Sequence, residues 1–212
     1  MGDIQITGFE ILEKLGEGGM ATVWKARQLS LDRIVALKIL TSHAGAESPE
    51  VHSFVEEAKA AARLKHPGIV QVYDVGCENG LYYIVMEYVA GYTVREWLLR
   101  QRPLPEKAAL DVADSVADAL GYAWEHKKII HCDIKPDNIM VDADGTVKVA
   151  DLGLARSIGA IAASQDDSHV FGTPSYMSPE QVTGATDQDF RADIYSLGAT
   201  IYELVTGQAP FQ

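Results

Sequence analysis

Apolar residues along this chain follow two spacings, and these spacings predict its secondary structure. In the first ninety residues, apolar runs at 35–40, 70–75 and 81–89 predict β-strands, and Asn79-Gly80 is a typical hairpin turn. Between the first two runs, Ser48-Pro49-Glu50 predicts a helix start, because it combines a capping hydroxyl, a proline and an acid. Apolar residues then follow at helical spacing: Val51, Phe54, Val55, Ala58, Ala61 and Ala62.

The rest of the chain is predicted to be mainly helical. A helix from Glu106 is indicated by apolar residues three or four positions apart, namely Leu110, Ala113, Ala117, Leu120 and Trp124. Residues 139–141 and 147–149 flank a turn and predict a hairpin. A further helix from Arg191 ends at Gly207, with its predicted apolar face formed by Ile194, Leu197, Ile201 and Leu204. Ala90-Gly91 interrupts the pattern between the two parts and is a plausible hinge.

Composition excludes several classes of function. The 212 residues include 30 acidic and 18 basic side chains, a net charge of −12, so binding to a phosphate backbone is not expected. Two distant cysteines, Cys77 and Cys132, predict a reduced cytoplasmic protein without a disulfide framework. No signal peptide is recognised, and no apolar run approaches the roughly 18 residues of a membrane span, so no membrane segment is predicted.

The eight residues from His131 to Asn138 carry the strongest chemical signal. Asp133, Lys135 and Asn138 supply a proton acceptor, a cation and an oxygen ligand for a metal, which are the groups that phosphoryl transfer needs. Pro136 keeps the segment from becoming a helix. The pattern resembles the catalytic loop of bacterial, eukaryotic-like Ser/Thr protein kinases. The resemblance implies that Asp133 accepts or orients the hydroxyl proton, Lys135 neutralises the phosphoryl group, Asn138 ligates Mg²⁺ and His131 is structural.

Two later motifs match the same family in order. Asp151-Leu152-Gly153, thirteen residues after Asn138, resembles Asp-Phe-Gly and implies that Asp151 is the main Mg²⁺ ligand. Residues 172–180 resemble the end of an activation segment, with Ser-Pro-Glu in place of Ala-Pro-Glu. The resemblance implies that Thr173 contacts the catalytic loop and that Asp193 anchors the main chain of that loop.

A glycine-rich stretch and a lysine precede the catalytic loop. Residues 15–23 resemble the kinase Gly-rich loop, although such stretches are often ordinary hairpin turns. Lys38 could lie on a solvated strand face, but the resemblance implies that it contacts the α- and β-phosphates of ATP and pairs with Glu57. The resemblance favours Glu57 over Glu56, because Glu57 lies nine residues before His66-Pro67, which is the spacing that the family shows. Besides Lys38 and Asp151, the residues that the resemblance assigns to nucleotide binding are Leu15, Gly16, Glu17, Gly18, Gly19, Val23, Ala36, Met86, Glu87, Val89 and Met140.

The resemblance implies an α+β, two-lobed protein-kinase-like fold. Residues 1–90 would form an N-lobe with an antiparallel sheet and one helix, and residues 91–212 a mainly helical C-lobe that lacks the last helices of the family. The implied function is transfer of the γ-phosphoryl group of ATP, with Mg²⁺, to Ser or Thr hydroxyls of a protein substrate. Two alternatives stay open: a nucleotide-binding pseudokinase or scaffold, inactive because of the missing helices, and a small-molecule phosphotransferase of similar fold.

The match breaks at two places. Cys132 stands where the family usually has an Arg that binds a phosphorylated activation loop, and Asp166-Asp167 already place negative charge in that loop. We therefore predict activity that does not depend on loop phosphorylation. The sequence also ends at Gln212, before the family's last helices, so we expect the helix near residues 194–205 to expose an apolar face that self-association or a partner covers.

Overall fold

A computed structural model describes residues 4–19, 21–41, 48–151, 156–157 and 174–210. The chain forms two compact units, Met1–Ala62 with Gln71–Tyr88 and Arg63–Val70 with Val89–Gln212. The predicted division at residues 90 and 91 therefore differs from these units mainly in residues 63–70, and it stays a prediction for the domain boundary. The predictions for Leu152, Gly153, Asp166, Asp167 and Thr173 lie outside the described residues.

The first unit is an antiparallel sheet with one helix. Its strands are β1 (Phe9–Glu17), β2 (Ala21–Gln28), β3 (Arg33–Leu40), β4 (Val72–Glu78) and β5 (Leu81–Glu87), in the spatial order β1-β2-β3-β5-β4. Helix α1 (Pro49–Ala61) starts at Ser48, whose side chain accepts a hydrogen bond from the main-chain N–H of Val51. The predicted strands, helix start and hairpin are thus confirmed, although β4 begins two residues later than expected.

Side-chain alternation on β3 separates two apolar layers in this unit. Val35, Leu37 and Ile39 point to one face and pack with residues of β2 and β5. Leu40 points to the other face and packs with Phe54 and other residues of α1. Because side chains alternate along a strand, Ala36 and Lys38 share the face of Leu40. A lysine on that face lies toward α1 rather than toward bulk solvent.

The second unit is mainly helical. Its helices are α2 (Val94–Arg100), α3 (Glu106–Lys127), α4 (Pro179–Val182) and α5 (Arg191–Thr206), with 3₁₀ turns at Pro136–Asn138 and Pro174–Tyr176. Its strands are β6 (Gly91–Thr93), β7 (Ile129–Ile130), β8 (Ile139–Asp142), β9 (Val147–Val149) and β10 (Arg156–Ser157). The strands form a β6-β8-β9 sheet and a β7-β10 pair, so the predicted hairpin of β8 and β9 is confirmed.

The predicted apolar face of α3 is wrong by about one residue. Leu110 is exposed, and the buried stripe is instead formed by Ala109, Val112, Val116, Ala119 and Ala123. Small and β-branched side chains let α3 approach its neighbours closely, which large residues on the adjacent stripe would prevent. The prediction placed the largest apolar residues on the buried face, whereas the structure buries the smaller ones.

The buried face of α5 agrees with the prediction only in part, because Leu197 and Leu204 are buried as expected but polar residues share the face. Ile194 is 58% exposed, whereas Asp193, Ser196, Thr200 and Glu203 are buried. These polar side chains are buried because each has hydrogen-bonding partners inside the unit; Ser196, for example, donates to the main-chain oxygen of Tyr176. None of the helices in the described part of the chain is long and apolar enough to cross a lipid bilayer.

Candidate active site

Lys38 and Glu57 form a shielded ion pair within the first unit. The Nζ atom of Lys38 lies 2.8 Å from Oε1 of Glu57, and each side chain is 12% exposed. The neighbouring Glu56 is exposed and bonds instead to Lys59 on its own helix. The structure thus places the predicted lysine against the preferred glutamate and not against its alternative. The hydrogen bond to Glu57 fixes the direction of the Lys38 ammonium.

The predicted nucleotide-binding residues of the first unit lie close together on the sheet. Four strands and one turn hold them: Leu15, Gly16 and Glu17 in β1, Gly18 and Gly19 in the turn, Val23 in β2, Ala36 in β3, and Met86 and Glu87 in β5. In the antiparallel register, Val23 lies opposite Lys38 and Ala36 lies opposite Met86. Directly opposite residues share a sheet face, so these four side chains lie on one face. Val89 and Met140 belong to the second unit.

The glycines of the β1–β2 turn are not required by the turn itself. Gly16, Gly18 and Gly19 have no left-handed φ angle. Among the described residues, a Cβ atom added to Gly16 or Gly19 would meet no heavy atom within 4 Å, and one added to Gly18 would make an ordinary 3.6 Å contact with the oxygen of Ala21. Packing and backbone conformation therefore do not explain three glycines here. Glycines at such positions leave room for a ligand to approach the main chain.

The catalytic-loop residues converge on one carboxylate in the second unit. Oδ2 of Asp133 accepts hydrogen bonds from Nζ of Lys135 at 2.7 Å and from Nδ2 of Asn138 at 2.9 Å. The same Asn138 amide donates to the main-chain oxygen of Asp133 at 2.8 Å. The 3₁₀ turn that starts at Pro136 folds Asn138 back to this position. Three residues within six positions thus form one cluster of acceptor, cation and amide.

Buried polar groups hold the start of this loop. The ring of His131 is buried; its Nδ1 accepts from the N–H of Asp133, and its Nε2 bonds to the carbonyl of Ala150 at 3.1 Å. The carboxylate oxygens of Asp193 accept from the N–H groups of His131 and Cys132, both at 2.8 Å. Burial raises the pKa of Asp193 above its ordinary value. The predicted structural roles of His131 and Asp193 are therefore observed.

The two candidate Mg²⁺ ligands are joined by the main chain. The N–H of Ala150 donates to the carbonyl of Asn138 at 2.8 Å, and Asp151 follows directly with a left-handed φ of 59° and an exposed side chain. Among the described residues, no three His, Cys, Asp or Glu side chains are grouped to hold a metal alone. An amide oxygen and one carboxylate fit Mg²⁺, which binds few protein ligands and completes its shell with phosphate and water oxygens.

A buried polar network next to the catalytic loop was not predicted. The guanidinium of Arg95 in α2 bonds to Glu203 of α5 at 2.5 Å, to the hydroxyl of Tyr176 at 2.7 Å and to Asp137 at 3.2 Å. Tyr176 also bonds to Glu203. The sequence offered one signal for this network: Ser196, Thr200 and the charged Glu203 recur at helical spacing. The apolar residues of the same helix were predicted to face the core, so this polar stripe was not assigned a role.

Electrostatics inside this network follow from its burial. Burial opposes the charge on Arg95, but the carboxylates of Glu203 and Asp137 outweigh it and raise the pKa of the guanidinium. Burial likewise opposes ionisation of Glu203, but hydrogen bonds from Arg95 and Tyr176 outweigh it and lower its pKa. Burial and the bond to Glu203 raise the pKa of Tyr176 to about 12. The network thus carries a charged Arg–Glu pair and a neutral tyrosine.

Comparisons with known proteins agree with this arrangement. The family described as "Protein kinase domain" matches residues 9–212. The chain is 41% identical over 203 residues to serine/threonine-protein kinase PrkC of Bacillus subtilis, covering 96% of this chain and 31% of that protein. It is 44% identical over 212 residues to a probable serine/threonine-protein kinase of Clostridium perfringens, covering 100% of this chain and 30% of that protein. It is 43% identical over 208 residues to serine/threonine-protein kinase PknB of Mycobacterium tuberculosis, covering 96% of this chain and 33% of that protein.

The chain belongs to the protein kinase domain family, and its relatives are bacterial Ser/Thr kinases. The predicted family and the predicted kinase fold class are therefore confirmed. The chain spans about a third of the length of these curated relatives.

Proposed function

We propose that this chain is the catalytic core of an ATP- and Mg²⁺-dependent protein-serine/threonine kinase. The observation that carries the proposal is the geometry of Asp133, whose carboxylate is held by Lys135 and Asn138 at 2.7 and 2.9 Å. Family membership supports the same class of reaction. Because phosphoryl transfer needs positioning and charge stabilisation more than covalent chemistry, these fixed polar groups suit it.

Asp133 would accept a hydrogen bond from the Ser or Thr hydroxyl of the substrate and take its proton as the phosphoryl group moves. Lys135 would stabilise the negative charge on the transferred group. Both groups are largely shielded, with side chains 15% and 20% exposed, so their electrostatic effect is greater than it would be in water. Lysine two residues after the aspartate favours Ser and Thr over Tyr as the acceptor.

Lys38, oriented by Glu57, would contact the α- and β-phosphates of ATP. Main-chain N–H groups near Gly16 and Gly18 would approach the phosphates, which the unexplained glycines support. Asn138 and Asp151 would ligate Mg²⁺, which supplies positive charge at the phosphate oxygens when bound. The protein substrate, its sequence preference and a cytoplasmic location of the kinase are part of the same proposal.

The predicted self-association stays a prediction. Residues Ile194, Tyr202 and Val205 of α5 are 58%, 49% and 41% exposed, so this helix has apolar side chains at its surface. Light scattering of the purified chain tests the prediction, and a clean monomer that is stable without additives would contradict it.

The pseudokinase alternative makes the opposite prediction for catalysis. Transfer of the γ-phosphate of ATP to a generic basic protein and to the chain itself should be measured beside an Asp133→Asn control. We expect transfer that depends on Mg²⁺ and falls by at least about a hundredfold in the control, because the positioned proton acceptor is lost. Wild-type transfer no greater than that of the control, with ATP binding intact, would favour the pseudokinase.

A further inference from the structure

The main chain of Cys132 is held from two sides by residues outside the catalytic loop. On one side, its N–H donates to Asp193 at 2.8 Å. On the other side, its carbonyl oxygen accepts a hydrogen bond from Nε2 of Gln181 at 2.7 Å. Cys132 has a φ of 68°, a left-handed conformation that costs free energy for any residue with a Cβ atom. Such a conformation persists only where surrounding contacts hold it.

Gln181 has a fixed orientation within α4. Its side chain is buried, its Oε1 accepts from the N–H of Ser178 at 2.9 Å, and its own N–H donates to the hydroxyl of Ser178. This reciprocal capping pair holds the amide oxygen and leaves Nε2 directed at Cys132. Both polar atoms of a buried amide are therefore satisfied, one at the helix start and one at the catalytic loop.

We propose that Gln181 is a positioning residue for phosphoryl transfer. It fixes the carbonyl of Cys132, and because Asp133 follows in the chain, rotation of that peptide would move the Asp133 carboxylate away from Lys135 and Asn138. The contact uses only main-chain atoms of Cys132, so it does not require the Arg that the family usually has there. The inference rests on the proposed kinase function, and its test includes a measurement that does not depend on activity.

The kinetic test uses Gln181→Leu, which removes the amide at similar volume, and Thr183→Val as the matched control. Within the described part of the chain, the Thr183 hydroxyl, just after α4, donates only to the main-chain oxygens of Pro179 and Glu180 in that helix. We expect kcat to fall about tenfold in Gln181→Leu, the effect of one lost hydrogen bond, with KM for ATP changed less than about twofold. The control should keep both constants within about twofold.

A second variant, Gln181→Glu, has a distinctive pH profile. The ionised carboxylate cannot donate to the Cys132 carbonyl, whereas the protonated carboxyl can. Burial favours the protonated form, so the loss of kcat relative to wild type should shrink as the pH falls from 8 to 6. Loss of packing alone would give a deficit that does not change with pH.

Rescue and hydrogen exchange complete the test. Adding Cys132→Gly to Gln181→Leu should recover at least about threefold of the lost kcat, because glycine adopts the left-handed conformation without a Cβ penalty. Hydrogen exchange of a peptide covering residues 131–138 should be at least about threefold faster in Gln181→Leu than in wild type, with α1 peptides unchanged.

The possible outcomes separate the two proposals. An unchanged kcat in Gln181→Leu would overturn the positioning role. A lower kcat would also overturn it if the deficit of Gln181→Glu did not depend on pH and Cys132→Gly did not rescue Gln181→Leu. Unchanged exchange of residues 131–138 would also overturn it, even for a chain without activity. Wild-type transfer equal to that of Asp133→Asn would overturn the proposed function, while the exchange measurement would still decide the role of Gln181.

Discussion

Replacing Arg95 by Met removes the cation of the buried network and keeps most of the aliphatic length of the side chain. Glu203, whose side chain is 6% exposed, would lose its ion pair and keep the hydrogen bond from the hydroxyl of Tyr176. We expect a large loss of stability, because a buried carboxylate without its cation keeps its desolvation cost and loses the attraction that offset it.

The magnitude depends on how well water reaches the site. Breaking a fully buried ion pair costs about 3–5 kcal/mol. The side chain of Arg95 is 23% exposed, so water can partly replace the guanidinium, and we expect about 2–3 kcal/mol. For a chain of this length, 1 kcal/mol changes the melting temperature by about 2–4 °C, so Tm should fall by about 4–12 °C.

Thermal and urea unfolding of Arg95→Met, Glu203→Met and the double variant measure this effect. Arg100→Met is the matched control, because Arg100 lies on the same helix but is exposed and only approaches the ring of Tyr92. The control should change the free energy of unfolding by less than about 0.5 kcal/mol. The double variant should be more stable than the sum of the single losses predicts, since it removes both charges of the buried pair and leaves only the half-exposed Asp137 without Arg95.

The effect of Arg95 should also depend on pH. The folded-state pKa of Glu203 is lowered, so its ionisation stabilises the protein above the ordinary pKa of 4.5, and this contribution is lost as the pH falls through the folded-state pKa. The gap between wild type and Arg95→Met should therefore narrow in acid. A loss below about 0.5 kcal/mol at pH 7, or additive single losses, would refute the buried-charge argument.

Four further predictions follow from the described residues. The pKa of Tyr176 is raised from its ordinary 10 to about 12, so wild type should lose about 2 kcal/mol of unfolding free energy as the pH rises from 10 to 12, and Tyr176→Phe should not show this loss in alkaline denaturation. Gly16→Ala should leave Tm unchanged or slightly higher, because no atom of the described residues lies within 4 Å of the added Cβ, and yet raise the Kd for ATP at least about threefold; an unchanged Kd would argue against phosphate binding near Gly16. Gly91→Ala should cost about 1–3 kcal/mol in urea unfolding, because its Cβ would lie 1.8 Å from the Val141 oxygen; a neutral effect would contradict the close β6–β8 pairing. Phosphatase treatment should leave kinase activity within about twofold, because the buried side chain of Cys132 packs with Trp124 and Ile130 and cannot bind phosphate; abolished activity would refute this.

Local motifs were the part of the site that the sequence could predict. The start of α1 followed from Ser48 and Pro49, because capping depends on neighbours in the chain. The cluster around Asp133 also followed from local order, since Asp133 and its two partners lie within six residues. Even the choice of Glu57 over Glu56 was available from spacing, although only the structure showed the contact with Lys38.

Burial on the helices was less predictable. On α3 the large residue Leu110 is exposed and small residues such as Ala109 and Ala119 are buried. Periodicity identifies a helix, but the face that packs depends on the shape of its neighbours and not on which side chains are most apolar.

The sequence by itself determined the protein family and fold class and supplied the candidate phosphoryl-transfer residues, because motifs depend on residue type and local spacing. Only the tertiary structure decided which polar groups support those residues. Gln181 lies 49 positions from Cys132, and Arg95 lies 108 positions from Glu203. Hydrogen bonds between such distant residues depend on how helices pack, and no local pattern in the sequence encodes that packing.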